Sequence, residues 1–197
     1  MNKTIKSEIF RDFVRLVKES NHQYYAIKSG LQNLNKHGIE INSKSYNGQT
    51  LLHIAVRSGD HKLVKLFVKS GVIIDLANDA GETPLHLAVS LGKLNIVKTL
   101  VSLGASLDCG SEFEQTPLHL AVINSNLEIA KYLIEQGADL GLVDENNNYP
   151  IDYAIDENDV KMIKFLLTIH NVDEGRMSKI NKVFEKEGKN NGNNRKD

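Results

Sequence analysis

Apolar and polar positions in this chain alternate in a two-part burst that keeps returning. Leu85, Leu87, Ala88 and Val89 fill one short segment, and Leu94, Ile96, Val97, Leu100 and Val101 follow at the i, i+3, i+4 spacing of a helix face. Thr83 stands where a hydroxyl caps a helix, and Pro84 suits the first helical position, where a missing N–H costs nothing. Gly92 and Gly104 supply the positive φ that stops each helix. The pattern predicts two short helices closed by tight turns.

The unit recurs without gaps. GQTLLHIAV begins at Gly48, GETPLHLAV at Gly81, EQTPLHLAV at Glu114 and NNYPIDYAI at Asn147, each 33 residues after the one before. Gly59, Gly71 and Gly137 repeat the stops, while Asn124-Ser125-Asn126 replaces the first glycine of the third unit, with asparagine expected to take the left-handed conformation. A helix pair this small cannot bury its apolar side alone, so the units must stack, with modified units at the ends. The fourth unit is modified: Asp152 stands in place of His and Asn147 in place of Gly, although Val160, Ile163, Phe165, Leu166 and Leu167 keep the second-helix pattern. Upstream, Leu31, Leu34, Gly38 and Ile41 fall 33 residues before Val64, Phe67, Gly71 and Ile74, which indicates a divergent half-repeat. Ile9, Phe10, Phe13, Val14 and Val17 predict an amphipathic helix over 5–19 that covers the N-terminal end. Residues 177–187, with Met177, Ile180, Val183 and Phe184 on one side, predict a short capping helix, and the polar tail GKNNGNNRKD is expected to be disordered.

The pattern T-P-L-H-x-A at this period resembles the ankyrin repeat family. It is nearly intact at Thr83-Pro84-Leu85-His86 and Thr116-Pro117-Leu118-His119, and Leu51 replaces Pro in the first unit. The resemblance covers about 45–170 well and 20–44 loosely. It implies an all-α fold, a curved ankyrin-repeat α-solenoid with projecting β-turns, and a role in binding other proteins. The expected division is an N-terminal cap and half-repeat over 1–44, repeats at 45–77, 78–110, 111–143 and 144–172, and a short helix with a tail over 173–197.

Composition narrows the function classes. No stretch approaches the roughly 18 apolar residues of a membrane span, and the charged start MNKTIKSEIFRDFVRLVKES is not read as a secretory signal. The single Cys109 fits a reducing compartment, so a cytoplasmic location is expected. The net charge of -1 conceals +4 over 1–44, -8 over 45–173 and +3 over 174–197. An acidic centre repels phosphate, so nucleic acid is not an expected partner, and neither is a membrane. Only five of the 24 Lys/Arg residues are arginine. With the many Asn and Ile, this bias points to an A+T-rich genome, hence to an intracellular bacterium, a virus or a protist.

His53, His86 and His119 invite a metal or catalytic reading. A metal ion needs its ligands about 2 Å away, whereas equivalent residues of stacked units stand roughly 8–10 Å apart. A structural role is preferred, in which His53 pairs with Thr50, His86 with Thr83 and His119 with Thr116 through hydrogen bonds across the turns. Cys109 has no activating base nearby in sequence and is read as structural. With no catalytic carboxylate pair, phosphate-binding glycine loop or G-x-S-x-G, no enzyme, cofactor or metal is expected.

The register also locates the surface that the resemblance assigns to binding. Turn tips fall at Tyr46-Asn47, Asp79-Ala80, Glu112-Phe113 and Glu145-Asn146, followed by Gln49, Glu82, Gln115 and Asn148. Exposed first-helix positions fall at Arg57-Ser58, Ser90-Leu91, Ile123-Asn124 and Asp156-Glu157. Tyr46, Leu91, Phe113 and Ile123 are apolar where water alone would favour polar residues, and they are ringed by acids with Arg57 as the only opposing charge. The expected partner is another protein with basic residues around an apolar anchor, bound by a monomeric adaptor or stoichiometric inhibitor. The alternative is a microbial or viral effector aimed at host proteins, working in the host cytosol or nucleus. The regulatory arm of an enzyme ranks last, because repeats and caps use nearly the whole chain.

Overall fold

The helix signals along the chain become eleven helices in a computed structural model, which describes residues 3–19, 24–45, 48–169 and 171–193. Five pairs follow one another: α1 (Lys3–Glu19) with α2 (Tyr24–Lys36), α3 (Leu51–Ser58) with α4 (His61–Lys69), α5 (Pro84–Ser90) with α6 (Leu94–Ser102), α7 (Pro117–Ile123) with α8 (Leu127–Glu135), and α9 (Pro150–Asp156) with α10 (Val160–Leu167). A last helix, α11 (Glu174–Asn193), closes the stack against α9 and α10. Among the described residues there is no β-strand.

The first helices of successive pairs touch in order, α1 to α3 to α5 to α7 to α9, and form an inner row. Helices α4, α6 and α8 form an outer row. Ala55, Ala88, Ala121 and Ala154 recur at one fully buried position of the inner row, where a small side chain lets neighbouring helices approach. The outer helices close the core with Leu63, Val64 and Phe67, then Ile96, Val97 and Leu100, then Ile129 and Leu133, then Met162, Ile163 and Leu166, all buried. The core is therefore one continuous seam shared by neighbours, and no pair owns a core of its own.

Three expectations change here. The N-terminal segment is a full helix pair: α1 sits in the inner row against α3, with Phe10, Phe13, Val14 and Val17 buried. Gly30 permits the close approach of α2, since a Cβ there would lie 2.5 Å from a Phe13 ring carbon. At 17 residues α1 is about twice as long as the other inner helices and lacks the threonine–histidine signature, which hid its equivalence. In the third unit the left-handed residue is Ser125 (φ 50), while Asn124 keeps φ -84. The 33-residue register places Ser125, not Asn124, opposite Gly92, and the two make the same backbone bond, Ser125 N–H to Val122 O and Gly92 N–H to Val89 O. Finally, the C-terminal helix begins before 177 and ends at Asn193, so 188–193 are helical where disorder was expected. Its start is set by Asp173, whose Oδ1 accepts from the Arg176 N–H at 2.9 Å, and Ile180 and Val183 bury its inner side.

Candidate functional site

Each inner helix of the three central units opens with one hydrogen-bonded assembly. Thr50, Thr83 and Thr116 are N-caps, and their hydroxyls lie 2.8, 2.8 and 2.9 Å from Nδ1 of His53, His86 and His119. The same ring nitrogen accepts the threonine backbone N–H, at 3.1 Å for both His86 and His119. The histidine thus fills the place that Glu or Gln takes in a capping box. With Nδ1 accepting, Nε2 carries the hydrogen and donates to a backbone carbonyl of the next turn: Glu82 at 2.9 Å, Gln115 at 2.9 Å and Asn148 at 3.1 Å. One ring therefore caps its own helix and fastens the following unit. All three side chains are fully buried, and that burial pushes each imidazole below its ordinary value of 6.5. Among the described residues, no three His, Cys, Asp or Glu side chains gather where they could share a metal ion.

The fourth unit solves the same problem with a different group. Asp152 caps backward, accepting the Tyr149 N–H at 2.9 Å, but a carboxylate cannot donate to a following carbonyl. It receives Arg176 of α11 instead, through Nε at 2.7 Å and Nη2 at 2.9 Å. The guanidinium also meets Asp173 and lies 4.6 Å from the centre of the Tyr149 ring. These side chains border a hollow of about 220 Å³ with Ile151, Asn171 and Val172. Its only cation is already committed to two carboxylates, so the arrangement is a clasp and not an anion site. Arg176→Ala is expected to cost about 1–3 kcal/mol by leaving Asp152 half of a buried pair. Hydrogen exchange should show the loss concentrated in α11, and Arg176→Lys should recover little because lysine cannot bind two oxygens side by side.

The turn tips are tied to one another. Glu112 N–H donates to Ala80 O at 3.2 Å, and Glu145 N–H donates to Phe113 O at 3.1 Å. Asp79, Glu112, Phe113 and Glu145 are exposed on this row, and Arg57, Leu91, Asp156 and Glu157 are exposed at the far ends of the inner helices. Phe113 is 54% exposed and Leu91 42%. Ile123, expected to be exposed, is half-buried as the last residue of α7. Glu82 is half-buried and accepts Asn78 Nδ2 at 2.9 Å. Gln49 is half-buried too, and its Oε1 has no hydrogen-bond partner among the described residues. Tyr46 and Asn47 lie outside the described residues. Arg57 is not the only basic group opposing the acids, because Lys44 reaches Asp79 at 3.3 Å. Sequence reading missed Lys44 because nothing in the linear pattern shows that one turn's base leans on the next turn's tip. It also missed the network in which Tyr153 donates to Asp144 and Gln115 Nε2 meets the Tyr153 hydroxyl at 3.1 Å.

No helix among the described residues is long and apolar enough to cross a membrane. A search of curated proteins finds no match to this chain. A family model for three copies of the ankyrin repeat matches residues 22–111 and again 103–177. Those matches start inside the divergent N-terminal pair and run into α11, over the same stacked pairs that the histidine bridges join. The chain belongs to the ankyrin repeat family.

Proposed function

We propose that the turn tips and the adjoining ends of the inner helices dock a partner protein that presents basic residues around an apolar anchor. Ankyrin repeats are in general protein–protein interaction modules. On this reading the chain acts by binding alone, as an adaptor or stoichiometric inhibitor. The observation that carries it is Phe113, a large aromatic left 54% exposed on a tip beside Glu112, with Leu91 exposed as well. An exposed aromatic ringed by charge is the composition of a binding centre, where a few residues supply most of the energy. The surrounding acids Glu112, Glu145, Asp156 and Glu157 would speed encounter with a basic surface and reject an acidic one.

Capture from the source lysate tests this. Wild type is expected to retain a protein that the double variant Phe113→Ala, Glu112→Lys holds at least about 10-fold more weakly, a loss of about 1.4 kcal/mol or more. Equal retention by a folded variant would move the site off this surface. The Lys-, Asn- and Ile-rich composition favours a second reading, a microbial or viral effector, for which the same capture succeeds from host lysate and fails from the source cell.

A further inference from the structure

We propose that the chain associates with a second copy of itself, the outer helices of one molecule meeting the turn tips of the next through two matched rows of opposite charge. The basic row is Lys65, Lys98, Lys131 and Lys164, one exposed lysine on each of α4, α6, α8 and α10 at a constant spacing of 33 residues. Three of these are held in line by rings of the following element. Lys98 Nζ lies 5.6 Å from the centre of Tyr132, Lys131 Nζ 5.4 Å from Phe165, and Lys164 Nζ 5.6 Å from Phe184. The acidic row is Asp79, Glu112 and Glu145, exposed on successive tips at the same spacing and fixed by the tip-to-tip hydrogen bonds.

Both rows take their pitch from the same stacked helices, roughly 10 Å per unit. An unrelated acidic protein would meet that pitch only by coincidence, whereas a second copy meets it by construction. The ends of the rows are already engaged, Asp79 with Lys44 and Lys164 with Glu187. That leaves Glu112 and Glu145 facing Lys65, Lys98 and Lys131, none of which has an ion-pair partner within 4 Å among the described residues. Lys62 and Lys69 reinforce the basic side on α4, while Glu128 and Glu135 oppose it on α8, so the α4–α6 half contributes most. Two different surfaces meet, so the contact is heterologous and adds copies in one direction. Exposed pairs are weak and screened by salt, so association is concentration-dependent and strongest at low ionic strength. It uses the tips proposed for the partner protein but does not rest on that reading, because it is measured on the pure chain.

Sedimentation equilibrium of the full chain tests it, at about 20 mM and about 500 mM salt, conditions that bracket strong and negligible screening. The mean mass is expected to rise with concentration at low salt and return to the monomer at high salt. The variants Lys65→Glu, Lys98→Glu, Lys131→Glu and Glu112→Lys, Glu145→Lys should each self-associate at least about 10-fold more weakly at low salt. Mixed in equal amounts, the two variants should associate again, since each then meets its opposite. A wild-type chain that stays monomeric at both salts overturns the proposal, whatever the variants do. So does a mixture that fails to associate, or a chain whose lysine row binds an added polyanion such as heparin without self-association.

Discussion

Replacing His86 by alanine is expected to cost about 3–4 kcal/mol, the largest effect of any single substitution considered for this chain. The sum has separable parts. The cap on α5 loses its return bond to the Thr83 N–H, worth about 1 kcal/mol. The Gln115 carbonyl loses its donor, for about 1–2 kcal/mol. Removing a ring from a fully buried site leaves a cavity, for about 1 kcal/mol more. In a chain of this length that lowers the melting temperature by roughly 10 °C. His86→Gln isolates the bridge, because glutamine can serve the capping box but is not a ring that spans to the next turn. It should recover about a third of the loss. Equal stability of the alanine variant and wild type would remove the bridge from the energetics. A melting temperature that responds to zinc or chelator would restore the metal reading.

Mild acid is expected to act on all three bridges together. Burial lowers the pKa of His53, His86 and His119 in the folded chain, while the unfolded chain keeps them near 6.5. The unfolded state therefore takes up protons first as the pH falls. Stability is full above about 6.5 and declines below it, until the folded-state values are passed. Each histidine contributes a slope of at most about 1.4 kcal/mol per pH unit, so three contribute at most about 4. The physical cause is that Nδ1 must accept and Nε2 must donate, and an imidazolium can only donate. Denaturant titrations between pH 7.5 and 5 should show the midpoint falling below about 6.5. In the triple variant His53→Gln, His86→Gln, His119→Gln the curve should be nearly flat over that range. A wild-type midpoint that is constant through the same range would mean that the rings are not held neutral.

Much of this architecture could be read from the residues because its signals are local. Thr83-Pro84 marks a helix start and Gly92 a stop whatever surrounds them, and the 33-residue spacing multiplies each signal by four. Signals that depend on what lies across a turn were harder to read. Asn124 is the better left-handed residue by type, but register gave the place to Ser125. Ile123 occupies a position that is charged in Arg57 and Asp156, yet its apolar side chain is half-buried against the stack. The lysines at 65, 98, 131 and 164 are plain in the sequence, but the rings that align them belong to the next element at no fixed offset, Tyr132 and Phe165 in outer helices and Phe184 in α11. Arg176 carried no signal at all until α11 brought it beside Asp152.

The histidine bridge ends on a main-chain oxygen, and every residue type has one. The joint between units is therefore indifferent to the side chains it joins. Deleting or duplicating any whole 33-residue step among the first three units presents the upstream ring with the same carbonyl, while the tips and outer surfaces are free to diverge. The fourth unit has no such freedom. Asp152 needs the guanidinium of Arg176, so a unit inserted after it would meet a carboxylate where it required a donor. Growth of this stack is open in the middle and shut at α11.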